Sequence, residues 1–178
     1  MSEKISEIVM QAIIMDWAMN EKNHLYVVPN STVIFPWESD LISVTKALFS
    51  HEYEIKISKA DYKKDAEKKW KHMKLNGLGV WSNNIPNYFW YATYGFDIEP
   101  PDHAGWIQIT PGAKRHNLTV KKEAPRLCEK KISDQQKSSI ARLLSFRITD
   151  YYRRYLNDKD DDGRFITASL AKIDTNNA

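Results

Sequence analysis

SDLISVTKALFSHEYEIKIS, residues 39–58, is the stretch that decides the fold. Two runs rich in apolar and β-branched residues, near 40–46 and at about 51–58, are separated by a brief turn and predict two neighbouring strands. Residues two apart on a strand point to the same face, so the side chains of Glu54 and Lys56 should project together.

Asp40 stands at the beginning of the first of these strands and supplies a second carboxylate. A carboxylate beside an ammonium group, with another acid on the neighbouring strand, is suited to holding a hard divalent cation and directing a water molecule at a phosphodiester. The alternative is an edge strand with one face toward the core and one toward solvent. Tyr53, Ile55 and Ile57 would then face the core, and the solvent face would consist of Glu52, Glu54 and Lys56. Charges inside a sheet are costly unless they pair or bind, and the residues alone leave both interpretations open.

The segments before the hairpin predict one helix and two short strands. The strands are expected at HLYVV, which ends at Pro29, and at STVIF, which ends at Pro36. An amphipathic helix is expected over 3–20, and its apolar face would consist of Ile5, Ile8, Val9, Ala12, Ile13 and Trp17.

The segments after the hairpin predict a helix, further strands and a long final helix. Ser58 is a good N-cap for a lysine-rich helix that ends at Gly77. Strands are then expected at NYFWYATYG, AGWIQIT and NLTVKKEAP, and a helix at 133–156 with Ser133 as its N-cap. The element order predicts an α/β protein with a central mixed sheet flanked by helices. We expect a single domain over 1–157 and an acidic, flexible tail over 158–178.

Composition sets limits on the function. The chain has 178 residues, enough for one domain with a sizeable core, and a formal net charge of +3. A mildly basic balance is compatible with a nucleic-acid partner without requiring one. A single cysteine, Cys128, excludes an intramolecular disulfide and argues against a cysteine-based zinc site. There is neither a GxxxxGK[ST] phosphate loop nor a GxGxxG motif.

The N-terminal segment predicts a cytoplasmic protein without a membrane partner. SEKISEIVMQAIIMDWAMN mixes acidic with apolar residues, whereas a secretory signal has a basic start and an unbroken apolar stretch. No apolar run approaches the ~20 residues that cross a bilayer. We therefore expect a soluble, intracellular protein.

Taken together, these residues resemble the PD-(D/E)xK nuclease superfamily. Its pattern of an acid opening one strand, acid-x-Lys on the next strand and a following helix is matched by Asp40, by Glu54 and Lys56, and by SKADYKKDAEKKW. The chain is most similar to the MmcB-like DNA-repair proteins of bacteria, which share the EIK-type strand, the Lys-Trp pair and an aromatic strand leading to an "AGhI" strand, where h is apolar. NYFWYATYGFDIEPPDHAGWIQI has that arrangement.

The resemblance implies a restriction-endonuclease-like core of αβββαβ order and a metal-dependent deoxyribonuclease. Asp40, Glu54 and the Ile55 carbonyl would be the ligands of Mg²⁺ or Mn²⁺, and Lys56 would position the attacking water. Superfamily members often add an acid from the first helix, which here would be Glu7. Because the strand is preceded by WESD rather than by Pro-Asp, Glu38 is an alternative to Asp40.

The expected partner is DNA, although the residues do not separate DNA from RNA. Lys59, Lys63 and Lys64 on the lysine-rich helix are candidate contacts to a phosphate backbone, and Lys68 would also lie near a polyanion. The alternative is that this surface is only a solvated face. A homodimer that reaches two strands is expected by analogy. The expected process is DNA repair or phage and mobile-element DNA processing, and the alternative function is an inactive nucleic-acid-binding or protein-interaction module that keeps the nuclease fold.

Overall fold

A six-stranded mixed sheet is the centre of the protein in a computed structural model that describes residues 5–65, 67–77, 84–113 and 115–157. The strands follow one another across the sheet in chain order. The first three pair antiparallel, the third to fifth run parallel, and the sixth is again antiparallel. The strands are β1 (Tyr26–Ser31), β2 (Ser39–Val44), β3 (Ser50–Lys56), β4 (Tyr88–Tyr94), β5 (Ala104–Thr110) and β6 (Asn117–Lys122).

Helices cover both faces of this sheet. The described helices are α1 (Glu7–Asp16), α2 (Lys59–Asp65), α3 (Lys69–Leu75) and α4 (Asp134–Asn157), and a π-helical turn (Trp17–Glu21) extends α1. Met10 and Ile14 of α1 pack with one face of the sheet, and Leu75 of α3 packs with the other. The predicted α/β class, with a central mixed sheet flanked by helices and a C-terminal helix, is confirmed.

The β2–β3 hairpin is antiparallel, and Leu41 lies opposite Tyr53. Its turn has no glycine or aspartate, and Leu48 takes the left-handed conformation instead, with φ of 69°. Backbone hydrogen bonds hold this turn: the Thr45 amide donates to the Phe49 carbonyl, and the Leu48 amide donates to the Thr45 carbonyl. The predicted pair of strands therefore forms although a leucine must occupy a position that glycine or asparagine usually fills.

Asn87 anchors the turn end of the hairpin to the rest of the sheet. Its side chain is fully buried just before β4. Asn87 Oδ1 accepts from the backbone amide of Ser50 at 2.7 Å and from its hydroxyl at 3.0 Å. Asn87 Nδ2 donates to the carbonyls of Cys128 and Lys130 at 2.8 and 2.9 Å. One amide thus joins the start of β3 to the segment that precedes α4.

The helix at the N-terminus buries only part of the predicted face. Trp17 is buried as predicted, and Ile5 and Ile13 are partly buried against the core. Ile8 and Val9 are instead 74% and 40% exposed, and Met10 and Ile14 are buried. The predicted and the observed residues share spacings of three and four, so periodicity alone could not choose between them. The side chain of Gln11 is also buried on this face, where it makes hydrogen bonds described below.

Two further predictions were wrong in part. STVIF does not form a strand, because β1 continues through Pro29 to Ser31 and residues 32–38 are irregular. A proline is tolerated there since β1 is the edge strand and needs no amide donor on its open side.

The single helix expected after Ser58 is two short ones, α2 and α3. The Ser58 cap is confirmed, because its Oγ accepts from the Asp61 amide at 3.1 Å.

The described chain divides into two compact units, Met1–Lys137 and Ser138–Ala178, with the boundary inside α4. The first unit contains the whole sheet. Ser133 caps α4 as predicted, since its Oγ accepts from the Gln136 amide. That 1–157 forms a single domain stays a prediction, and the tail 158–178 lies outside the described residues. Within the described part of the chain, no helix is long and apolar enough to span a membrane.

Gly105 on β5 tests the packing of the sheet. A Cβ there would lie 2.5 Å from Trp90 Cε3 and 2.7 Å from the Ala124 nitrogen. We expect Gly105→Ala to lower the free energy of unfolding by about 1–3 kcal/mol in urea titrations because the core must shift to admit a methyl group. The exposed Lys121→Ala on β6 should change it by less than ~0.5 kcal/mol. If Gly105→Ala is as stable as wild type, the close contacts of Gly105 with Trp90 and Ala124 are contradicted.

Candidate functional site

Asp40 is fixed against the neighbouring strand at the end of the hairpin opposite the turn. Its Oδ2 accepts from the Ile55 backbone amide at 2.7 Å. One step beyond the Leu41–Tyr53 pair, Asp40 lies across from Glu54. Burial, followed by the negative charges of Glu54 and Glu7, raises the pKa of Asp40 to about 7, against the opposing effect of the Ile55 hydrogen bond. The two predicted acids therefore lie close enough to interact.

Gln11 connects the first helix to Asp40. Its Nε2 lies 3.0 Å from the Asp40 carbonyl oxygen, 3.2 Å from Glu7 Oε1 and 2.8 Å from Asn30 Oδ1. Glu7, the additional acid implied by the resemblance, thus lies at the border of the site, with its side chain exposed. The buried glutamine on an otherwise apolar helix face is explained by these hydrogen bonds.

Glu38 directly precedes β2 and its side chain is exposed. Its neighbours Trp37 and Ser39 both donate to Glu52 Oε1, at 2.7 and 2.9 Å, while Glu38 itself is exposed. Of the two alternatives in WESD, Asp40 is therefore the acid that lies beside Glu54.

The carboxylate of Glu54 is surrounded by three lysines. Its Oε1 accepts from Lys56 at 2.8 Å and from Lys68 at 2.6 Å, and its Oε2 accepts from Lys71 at 2.6 Å. Lys56 and Lys71 are buried, whereas the Lys68 side chain is 51% exposed. Burial works to raise the pKa of Glu54, but Lys71 and Lys56 hold it below its ordinary value.

Asp65, the last residue of α2, extends this network. Its Oδ1 lies 3.2 Å from the ammonium of Lys56 and 3.0 Å from that of Lys68. Its Oδ2 accepts from the Tyr91 hydroxyl at 2.5 Å and lies 3.1 Å from His72 Nε2. Burial opposes ionisation, yet the hydrogen bonds from His72 and Tyr91 keep the pKa of Asp65 well below its usual range.

Glu52 completes the row of charges along β3. Its Oε1 lies 2.8 Å from the Lys71 ammonium, while its Oε2 is buried without a hydrogen-bond partner among the described residues. Burial raises the pKa of Glu52 despite the charge of Lys71. The acids in turn raise the pKa of Lys71 above its ordinary value, against the effect of burial. We call the connected set of Glu52, Glu54, Lys56, Asp65, Lys68 and Lys71 the ionic network.

This burial rules out the interpretation of Glu52, Glu54 and Lys56 as the solvent face of an edge strand. β3 is central, between β2 and β4, and all three side chains are buried. Lys68 and Lys71, which lie directly before α3 and within it, supply the ion-pair partners that offset the burial of Glu52 and Glu54.

The oxygen donors fit a hard divalent cation. Mg²⁺ is commonly bound by one or two carboxylates with waters completing its shell, and Asp40, Glu54 and the Ile55 carbonyl are donors of this kind. Burial first, and the negative charge of Glu54 second, raise the pKa of Asp40, and a bound cation would favour its ionised form. Among the described residues, no three His, Cys, Asp or Glu side chains form a metal-binding group, so a cation here would rely on two carboxylates.

The predicted phosphate-binding lysines are on the surface. Lys59, Lys63 and Lys64 on α2 are exposed, and their contact with DNA stays a prediction. Lys68, which was expected to lie near a polyanion, instead contacts Glu54 and Asp65.

Sequence reasoning missed much of the ionic network. Asp65, Lys71 and His72 were not predicted as site residues, although they join Glu54 and Lys56 directly or through one contact. A signal existed, because Lys68, Lys71 and His72 have the spacing of three and four residues that places side chains on one helix face.

Comparison with known proteins adds information on the fold. No family model and no curated protein matches the chain. Among solved structures it is similar to the SPO1766 protein of unknown function from Silicibacter pomeroyi, with a TM-score of 0.50 and 15% sequence identity over 87% of this chain and 91% of that chain. At this identity the likeness shows a shared fold alone. The resemblance to PD-(D/E)xK nucleases stays a prediction.

The raised pKa of Asp40 predicts a specific pH dependence of stability. Since the folded-state pKa rises from 3.8 to about 7, the folded protein binds this proton more tightly than the unfolded chain. The resulting stabilisation is complete below about pH 4 and is lost as pH rises through 7. Asp40→Asn, which cannot titrate and keeps an acceptor for the Ile55 amide, should gain on the order of 4 kcal/mol relative to wild type between pH 4 and 8.

Urea unfolding across this pH range measures the effect, with Glu38→Gln as the matched control because its carboxylate is exposed beside the same strand. The control should follow the wild-type pH profile. An unchanged profile for Asp40→Asn would show that Asp40 titrates normally.

Lys71 tests the ionic network. Replacing it with methionine leaves Glu52 and Glu54 buried without their shared cation, so the free energy of unfolding at pH 7 should fall by about 3–5 kcal/mol. Lys69→Met, at an exposed position of the same helix, should cost less than ~0.5 kcal/mol. Similar losses for both variants in urea titrations would mean that the acids are not stabilised by Lys71.

Proposed function

We propose that this protein is a divalent-metal-dependent nuclease that hydrolyses DNA phosphodiester bonds. The observation that carries the proposal is the Asp40 carboxylate, held on the Ile55 amide beside Glu54, with Lys56 buried next to Glu54 at 2.8 Å. Two interacting acids and an ammonium on adjoining strands match the chemistry that phosphodiester hydrolysis requires.

Each side chain has a distinct role in the proposed reaction. Asp40 and Glu54, with the Ile55 carbonyl, would hold Mg²⁺ or Mn²⁺. The bound ion would lower the pKa of a coordinated water and neutralise charge on the phosphate. Lys56 would orient the attacking water and stabilise the negative charge that develops at phosphorus. Its ion pairs with Glu54 and Asp65 keep the ammonium group in position.

Glu54 must release one ammonium group to become a cation ligand. Of its three lysine partners, Lys68 is the exposed one, and its side chain can move into water without leaving a buried charge unsolvated. Lys56 and Lys71 are 5% and 6% exposed, so their removal from Glu54 would be costly. Lys68 is therefore the lysine that would move away from Glu54 when a metal ion binds.

A second candidate is a module that binds nucleic acid or protein without turnover. The observation in its favour is that both Glu54 oxygens already have ammonium partners at 2.6–2.8 Å. If all three lysines remain in place, the site is a structural ionic network on a nuclease-like sheet.

The proposed setting is DNA repair or DNA processing by phages and mobile elements, in the cytoplasm of a bacterium or an infected host. DNA is the proposed partner, and a homodimer would reach both strands of a duplex. Neither DNA over RNA nor a particular substrate structure follows from the site, so substrates of each kind belong in the assay.

The experiment incubates purified full-length protein with single-stranded, duplex and branched DNA and with single-stranded RNA, in Mg²⁺ or Mn²⁺. Cleavage should require the metal and should fall about a hundredfold or more in Asp40→Asn, Glu54→Gln and Lys56→Met, because the first two remove a metal ligand and the third removes the ammonium group that stabilises the reacting phosphate. Glu38→Gln and Lys46→Met, both at exposed positions near the hairpin, are the matched controls and should cut at the wild-type rate.

Cleavage that survives in Asp40→Asn and Glu54→Gln would refute the assigned site. If no substrate is cut while DNA still binds in EDTA, the module without turnover is the better description.

A further inference from the structure

A cavity of about 660 Å³ lies beside the ionic network, between α2, α3 and the loop that connects β4 to β5. Pockets of 300–1,000 Å³ accommodate ligands of about the size of a nucleotide. Its lining includes Tyr62, His72, Met73, Asn76, Tyr91 and His103. The proposed catalytic groups Asp40, Glu54 and Lys56 are not among its lining residues.

Two tyrosine rings held by hydrogen bonds lie on the wall of the cavity. The rings of Tyr62 and Tyr91 meet edge to face, with centroids 5.1 Å apart. The Tyr62 hydroxyl donates to the Glu99 carbonyl at 2.7 Å, and the Tyr91 hydroxyl donates to Asp65 Oδ2. Tyr91 is buried, at 2% exposure, and supports the Tyr62 ring from behind. Tyr62 is only partly buried, so its ring is the carbon surface that suits the face of a flat aromatic ligand. Met73 adds a polarizable side chain to the same wall.

A line of hydrogen-bonding groups forms the other side. His103 Nδ1 lies 2.9 Å from Asn76 Oδ1, and His72 Nδ1 lies 3.2 Å from His103 Nε2. Burial and the neighbouring His72 lower the pKa of His103 to about 4, so its ring is neutral at physiological pH. These contacts engage both nitrogens of each ring, since His72 Nε2 also lies 3.1 Å from Asp65 Oδ2. The edge of an uncharged heterocycle would therefore meet the side-chain NH2 group of Asn76, whose Oδ1 faces His103.

Cations lie around the opening. Lys63 and Lys69, both exposed, line the cavity from α2 and α3, against a single lining acid, Glu99. A ligand with an apolar aromatic part and an anionic part therefore matches both the wall and the rim.

We propose that this cavity binds a purine or pyrimidine base, with the attached phosphate held by Lys63 and Lys69. The proposal rests on the proposed nuclease function and deepens it. Asp65 joins the two places, since it contacts the cavity-lining Tyr91 and His72 on one side and Lys56 on the other. A base in the cavity would anchor a strand close to Lys56. The base can come from a free nucleotide or from a nucleic-acid strand.

The test measures binding in EDTA, so that hydrolysis plays no part. Calorimetric titrations use deoxyadenosine monophosphate, thymidine monophosphate and ribose 5-phosphate. Nucleotides should bind at least tenfold more tightly than ribose 5-phosphate. Tyr62→Leu should weaken nucleotide binding about tenfold because a stacking surface is lost, and Met73→Trp should abolish it by filling the cavity. Tyr152→Leu, on the exposed part of α4, should bind like wild type. Thermal unfolding confirms that each variant is folded.

A fluorescent single-stranded oligonucleotide, with and without a central abasic nucleotide, separates the two sources of the base. Weaker binding of the abasic strand, with the difference removed in Tyr62→Leu, assigns the cavity to a base within a strand. Nucleotide binding that the oligonucleotide does not compete assigns it to a free nucleotide. Equal binding of ribose 5-phosphate and nucleotides, or wild-type affinity in folded Tyr62→Leu and Met73→Trp, overturns the proposal.

The two proposals fail separately. Base binding without any cleavage would refute the nuclease and leave the cavity assignment intact. If cleavage depends on Asp40 but Tyr62→Leu and Met73→Trp bind nucleotides like wild type, the nuclease proposal stands and the cavity assignment is refuted.

Discussion

The ion pairs of Glu54 are the interaction on which the rest of this structure depends. A carboxylate in the middle strand of a sheet, covered by helices, loses its hydration at a cost of several kcal/mol. Three ammonium groups within 2.8 Å offset that cost. Two of them come from residues beyond the strand, so β3 can keep its charged residues only when the segment after it folds back onto the sheet.

The segment after Ser58 supplies these partners from two short helices. Asp65 is the last residue of α2, Lys68 directly precedes α3, and Lys71 lies in the first turn of α3. Their spacing of three residues would also place the side chains on one face of a continuous helix. The ion pairs therefore do not require the interruption between α2 and α3, and local helix propensity is too weak a preference to prevent it.

The sequence was sufficient for the strands and for the pairing of the hairpin. Alternation and β-branching located β2, β3, β4 and β5 to within one or two residues, and serine caps marked the starts of α2 and α4. It was insufficient where two sets of residues on one helix are equally apolar, as for the buried face of α1. It was also insufficient for Asp65 and Lys71, because they contact Lys56, Glu52 and Glu54 of β3 only once the segment after the strand folds back onto the sheet. We predicted from the sequence that Asp40 and Glu54 lie close together, but we did not predict that lysines surround Glu54.

The two ends of the β2–β3 hairpin are held by chemically different means. At the turn, Asn87 uses an amide that gains and loses no proton over the physiological range. At the other end, Asp40 titrates near neutrality and the surrounding groups are charged. Acidity therefore acts through Asp40 on the hydrogen bond at the open end of the hairpin, whereas the Asn87 hydrogen bonds at the turn have the same strength at every physiological pH.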